Sequence, residues 1–164
     1  MLKEKILQNL TAAMKERKEL EVSVLRQLSA SILNKEKEKR FKISKEKAGI
    51  SEEDLAKQSL LSDEEILEVV GYEAKKRKES IVEFEKGKRN DLVEKEKKEL
   101  VILQAYLPQQ MPEDEIRVLV KQALEKTGAK EQKDMGKVMA ELMPKTKGKA
   151  DNALVSKIVR ESLS

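Results

Sequence analysis

The sequence predicts an all-α, multihelical protein: a long-helix N-terminal subdomain over residues 1–107 and a compact three-helix C-terminal subdomain over 108–164. Three observations carry that expectation. Apolar residues recur at spacings of three and four and never alternate for long, which is the period of one helix face. The chain is 38% hydrophobic and 40% charged, and its Leu, Val, Ile, Ala and Met against Lys and Glu suit helices with one apolar stripe. The only aromatics are Phe41, Tyr72, Phe84 and Tyr106, too few for a broad two-sided core.

Taken in order, Leu2, Ile6, Leu10 and Met14 fall four apart, and Leu25, Leu28, Ile32 and Leu33 form a second stripe. Together they predict a helical hairpin turning in the charged stretch 16–21. Residues 35–47 hold seven basic and three acidic side chains, and residues 51–73 hold one basic and eight acidic. Such blocks suit pairing across a helix interface, each exposed pair worth on the order of a few tenths of a kcal/mol. With Gly49 and scattered serines, residues 41–61 are expected to form a connection with little core of its own. Ser62-Asp63-Glu64-Glu65 reads as a capping box, opening a helix with Ile66, Val70, Ala74, Ile81 and Phe84 on one face. Gly87 and Asn90-Asp91 stop it and start the next, which carries Val93, Leu100, Leu103 and Leu107 and ends at Pro108, because a residue before proline avoids the helical region.

Pro108 and Pro112 mark the boundary between the subdomains. Pro112 takes the first helical position, with Glu113, Asp114 and Glu115 in the positive first turn. Ile116, Leu119, Val120, Ala123 and Leu124 line that helix, which Gly128 ends as a C-cap. Met135, Val138, Met139 and Leu142 line a second helix, expected to stop at Pro144. Leu154, Val155, Ile158 and Val159 line the third, with Asp151 as N-cap.

The chain has no His and no Cys. The usual general base, the Ser-His-Asp triad, thiolate nucleophiles, zinc fingers, iron–sulfur sites and disulfides are therefore excluded. Glu64 with Glu68 and Glu79 with Glu83 sit at helical spacing, but a di-iron bundle also needs Glu-x-x-His pairs, so they read as solvated faces. No catalytic residue, metal ligand set or cofactor is assigned. The N-terminus is charged at every second residue, unlike a secretory leader, and no apolar run approaches the roughly 20 residues that span a bilayer. The expected location is the cytoplasm, without a membrane partner.

Three basic clusters stand out: residues 35–47; Lys75, Lys76, Arg77 and Lys78 with Lys86, Lys88 and Arg89; and Lys145, Lys147, Gly148 and Lys149. The first two are interleaved with glutamates, as a solvated face would be. The third has no acid between Glu141 and Asp151 and precedes a helix start, where free amides and the helix dipole favour phosphate. Gly148 would let a backbone approach closely, while Asp151 as cap competes for the same amides. Phosphate or RNA-backbone contact and a merely basic surface turn both fit. With so few aromatics, no base-stacking platform is expected, so any RNA would be folded RNA met through shape and phosphates. Met135, Met139 and Met143 suit either an adaptable docking groove or simple core.

Three runs make the sequence specific: Tyr106-Leu107-Pro108-Gln109-Gln110-Met111, Asp134-Met135-Gly136-Lys137-Val138-Met139, and residues 143–151, Met-Pro-Lys-Thr-Lys-Gly-Lys-Ala-Asp. With Lys75-Lys76-Arg77-Lys78-Glu79-Ser80 and residues 84–92, they resemble the YqeY family over essentially the whole chain. Its members are small bacterial proteins related to the tail domain of the B subunit of aspartyl/glutamyl-tRNA amidotransferase. The resemblance implies two helical subdomains and association with tRNA, because such tails contact tRNA rather than catalyse. It also implies kinship with carbon–nitrogen ligases that use glutamine as amido-N-donor, although the kinase-like part of the B subunit and the serine–lysine amidase of the A subunit are both missing. Asn152 stands where the family has Gly after Ala-Asp, a position whose turn Asn would keep through its tolerance of left-handed backbone.

The leading expectation is a non-catalytic, tRNA-associated protein. Its candidate nucleic-acid contacts are Lys145, Lys147, Gly148, Lys149, Lys137, Lys75, Lys76, Arg77 and Lys78, and its partners are tRNA and an aminoacyl-tRNA-processing enzyme. The alternative is a protein–protein adaptor that docks on an enzyme complex through its Met-lined small subdomain.

Overall fold

A computed structural model describes residues 1–109 and 111–163. Among them are eight α-helices, one short 3-10 turn and no strand. The chain divides into two compact units, Met1–Tyr106 and Leu107–Ser164.

In the larger unit, α1 (Leu2–Lys15) and α2 (Glu19–Glu46) form the hairpin, turning through Arg17 at φ 56°. Ile6 and Ala13 of α1 and Val24, Leu25, Leu28 and Ile32 of α2 are buried. α2 runs well past residue 41, against the expectation of a loose connection there. Its Lys, Glu and Arg are good helix formers, and the helix yields only shortly before Gly49, at φ 83°. α3 (Glu52–Ser59), capped by Ser51, then buries Leu55 and Ser59, so this segment does contribute core. The opposite charge blocks pair as expected: Lys39 Nζ lies 2.7 Å from Glu65 Oε2, and Arg40 bonds Glu52.

α4 (Asp63–Lys86) opens on the capping box. The Glu65 amide donates to Ser62 Oγ at 3.2 Å, and the Ser62 amide donates to Glu65 Oε2 at 2.7 Å. Ile66, Val69, Val70, Ala74 and Ile81 form its buried stripe. Between α4 and α5 (Asn90–Gln104) the left-handed residue is Lys88, while Gly87 keeps φ −77°. α5 ends before Leu107, and Tyr106 is buried with its hydroxyl accepting from Asn9 Nδ2 at 2.7 Å.

The smaller unit holds α6 (Glu113–Thr127), a 3-10 turn at Gln132–Asp134, α7 (Met135–Thr146) and α8 (Asn152–Ser162). Pro112 is the N-cap of α6 rather than its first helical residue, and Gly128 ends α6 in left-handed geometry, φ 65°. α7 does not stop at Pro144 but runs through it. Proline removes one donor there, and the last turn is held by other bonds: Thr146 Oγ1 to the Leu142 carbonyl and the Lys147 amide to the Met143 carbonyl, both 3.0 Å. Asp151 caps α8, accepting from the Ala153 amide at 2.8 Å. Ile116, Val120, Ala123, Val138, Leu142, Val155, Ile158 and Val159 form the core, with Met135 and Met139 packed against it.

Candidate functional site

The segment from Lys145 to Asp151 is a short, tightly bonded turn. Because α7 passes Pro144, Lys145 lies in its last turn and Lys147 at its C-cap. Gly148 follows at φ 74°, a backbone region costly to any residue with a Cβ. The amides of Lys149 and Ala150 donate to the Thr146 carbonyl at 3.0 and 2.9 Å, and the Met111 amide donates to the Lys149 carbonyl at 2.7 Å. Lys145, Lys147 and Lys149 all stand exposed on this frame.

Helical spacing also returns an acid that the linear sequence had set apart. Glu141 is one turn before Lys145, with Oε1 3.5 Å from Lys145 Nζ and 2.7 Å from Lys126 Nζ. The hydrogen bond from Lys126, with a smaller contribution from Lys145, holds the Glu141 carboxyl below its usual range despite the opposing desolvation. Near the start of α7, exposed Lys137 bonds Asp134 Oδ1 at 3.2 Å and in the same way lowers that carboxyl.

The second cluster lies on α4, in the larger unit. Lys75, Lys76 and Lys78 are exposed. Arg77 is not: it is 8% exposed, with Nε 2.8 Å from Glu99 Oε2 and 3.4 Å from Glu96 Oε2, and Nη2 donating to Gln27 Oε1 at 2.6 Å. The two Nε contacts are held by charge without hydrogen-bond alignment. Arg77 belongs with the buried stripe rather than with the lysines beside it, so it is withdrawn from the candidate contacts. Its spacing of seven from Val70 and four from Ile81 was the sequence signal for this.

Glu64, Glu68, Glu79 and Glu83 are exposed, and no cluster of three or more potential metal-ligating acids occurs among the described residues. No helix described is long and apolar enough to cross a membrane. Of the methionine stripe, Met135 and Met139 pack against the small core, leaving Met143, 40% exposed, outside it.

A groove of about 880 Å³ runs along α2 and α4 of the larger unit, with Phe41 and Tyr72 among its lining residues. Two of the four aromatics therefore line one groove. Their separation of 31 positions leaves no local signal of it.

A family model described as Yqey-like protein matches residues 3–163. The chain belongs to the YqeY-like family. A relative of this YqeY-like chain is "Altered inheritance of mitochondria protein 41, mitochondrial" of Pyrenophora tritici-repentis, 40% identical over 106 residues. The match covers 62% of this chain and 58% of that protein, so the chain spans under two thirds of that relative's length. Within the YqeY-like chain, Asn152 is the first residue of α8, and among the described residues Arg17 and Lys88 are the non-glycine residues with positive φ. Asn152 thus needs none of the left-handed tolerance expected of it.

Proposed function

We propose that this YqeY-like chain is a non-catalytic protein that associates with folded tRNA, its Lys145, Lys147 and Lys149 meeting backbone phosphates. The observation that carries the reading is the Gly148 turn, where three exposed lysines project from a backbone fixed by the bonds to Thr146 and Met111. A preordered frame loses less entropy on binding than a free loop would. Asp151 already takes an amide of α8, so the ammonium groups rather than the helix start hold the phosphates. Lys137 and the exposed Lys75, Lys76 and Lys78 add positive charge elsewhere on the chain. The resemblance to the tRNA-contacting tail of glutamine-dependent tRNA amidotransferase supplies the RNA class and suggests an aminoacyl-tRNA-processing enzyme as partner.

On this reading the chain works in the cytoplasm; the relative's name carries the word mitochondrial, a second compartment that holds tRNA. The kinship with carbon–nitrogen ligases extends to association and not to chemistry, since a chain without His or Cys lacks the common nucleophile-activating pairs. The adaptor reading draws less support, because two of its three methionines are engaged with the core.

The test is binding to folded tRNA across a salt series. Affinity should fall steeply with salt and drop in the K145A/K147A/K149A variant. Absence of binding at low salt, or binding indifferent to the three substitutions, would overturn the proposal, as would ammonia release from glutamine by the purified chain.

A further inference from the structure

The groove along α2 and α4 has walls of opposite charge. The two helices run antiparallel, with Gln27 bonded to Arg77, Ser31 to Glu73 and Lys39 to Glu65 along their seam. The α2 wall carries Lys35, Lys39 and Lys42 with Glu38, and the α4 wall carries Glu65, Glu68 and Glu73. Lys35 pairs with Glu38 on its own helix at 3.1 Å, and both side chains are more than half exposed, so that pair is weak and open to exchange. In a chain that is 2% aromatic, Phe41 and Tyr72 are 62% and 64% exposed and rise from opposite walls. Leu61 and Val69 give the groove apolar lining. Large apolar groups gathered on an open surface and rimmed by charge mark an interaction site.

Such a surface is complementary to itself. The seam bonds advance along α2 as they retreat along α4, so Lys35, midway between Ser31 and Lys39, stands level with Val69, midway between Glu73 and Glu65. A two-fold axis laid along the groove keeps every level and exchanges the walls. Lys35 of one copy then stands across from Glu68 of the other, and Lys42 across from the acidic first turn of α4, Asp63, Glu64 and Glu65. The two Phe41 rings share one level and the two Tyr72 rings another, closing the lining of Leu61 and Val69 from water at both ends. An axis across the groove would instead set lysine against lysine and glutamate against glutamate, which like-charge repulsion disfavours. Any other occupant must supply a basic edge, an acidic edge and an apolar middle; a second copy has all three in register. We propose that the α2–α4 groove is a self-association surface, through which two copies form a two-fold dimer with the α2 wall of each against the α4 wall of the other. Residues 31–42 of α2 span about 16 Å, so the contact lies at the small end of interfaces and the dimer is weak and concentration-dependent. This goes beyond the tRNA reading and uses none of the Gly148-turn lysines.

The experiment is sedimentation velocity of the full-length chain in a concentration series reaching hundreds of micromolar. It should show a monomer–dimer equilibrium that weakens as salt rises. Phe41→Ala and Tyr72→Ala, both at exposed positions, should each weaken the dimer by about fivefold or more and leave the thermal melt unchanged. Charge exchange decides the geometry. K35E alone and E68K alone should each weaken association, and an equimolar mixture of the two should restore it, because the mixed dimer re-forms opposite charges at both pairs of walls. K145A/K147A/K149A should dimerise like the parent chain while losing folded tRNA, which separates failure here from failure of the tRNA reading. A chain that stays monomeric through the series, including one that holds a foreign protein on Phe41 and Tyr72 instead, would overturn the proposal. So would indifference to both ring substitutions, or a mixture that associates no more tightly than its two components.

Discussion

Gly148 and Asp151 shape the lysine turn in different ways. Gly148 has a left-handed backbone, and among the described residues a Cβ there would meet only Pro108 Cγ, at 3.9 Å. The cost of Gly148→Ala is thus backbone strain without a clash, about 1 kcal/mol. Thermal unfolding should show a fall of roughly 4–8 °C for a unit of this size. Asp151→Ala removes the α8 cap and should cost a similar amount, about 1 kcal/mol. Glu65 offers a pH test. The Lys39 hydrogen bond first, and the Ser62 amide second, hold its carboxyl below the ordinary 4.5, against a smaller desolvation. A lowered folded pKa means that its stabilisation is complete above about 4.5 and is lost as pH falls through the lower folded value. Glu65→Gln should therefore lower the urea midpoint at pH 7 and shrink the further loss between pH 5 and pH 3.

At the scale of the element, α4 sorts four consecutive basic residues into two kinds. Lys75, Lys76 and Lys78 are solvated, and replacement of Lys75 or Lys78 by Ala should change stability by no more than about 0.5 kcal/mol, whereas Lys76 lies 3.5 Å from the buried Glu73 Oε2. Arg77→Met strands Glu99 and Glu96 without their cation and should cost about 3–5 kcal/mol in a urea melt. R77M/E99M should recover part of that loss, because it removes one of the stranded charges. The Ser62 box, the Gly128 C-cap and the Asp151 N-cap were all readable in the sequence, since each depends on contacts within a few residues. Pro144 was misread for a related reason: a proline reads as a helix stop, but near a C-terminus it removes a single bond, and Thr146 with Lys147 closed the turn. Residues 41–61 were misread because their helices are built from charged residues, with Leu55 as the main apolar anchor.

For the whole molecule, the large charged fraction is nearly balanced in both parts: residues 1–107 hold 24 basic and 22 acidic side chains, and residues 108–164 hold 11 and 9. Net charge of +4 is thus too diffuse to bind RNA by itself, and location decides. If the three turn lysines each meet a phosphate, K145A/K147A/K149A should reduce the slope of log affinity against log salt by roughly 2–3, read from filter binding to tRNA. The smaller unit depends on a compact core, and Leu142→Ala at its fully buried centre should cost about 2–5 kcal/mol, seen as early loss of its methyl signals on heating. The all-α class, the helical hairpin, the caps and the basic turn were determined by the sequence alone, because helix period, capping and glycine geometry act within a few residues. Tertiary structure alone decided that Arg77 turns inward and that Phe41 and Tyr72 share a groove. Those outcomes depend on which helices pack together, and burial and shared surfaces are set by neighbours distant in the chain.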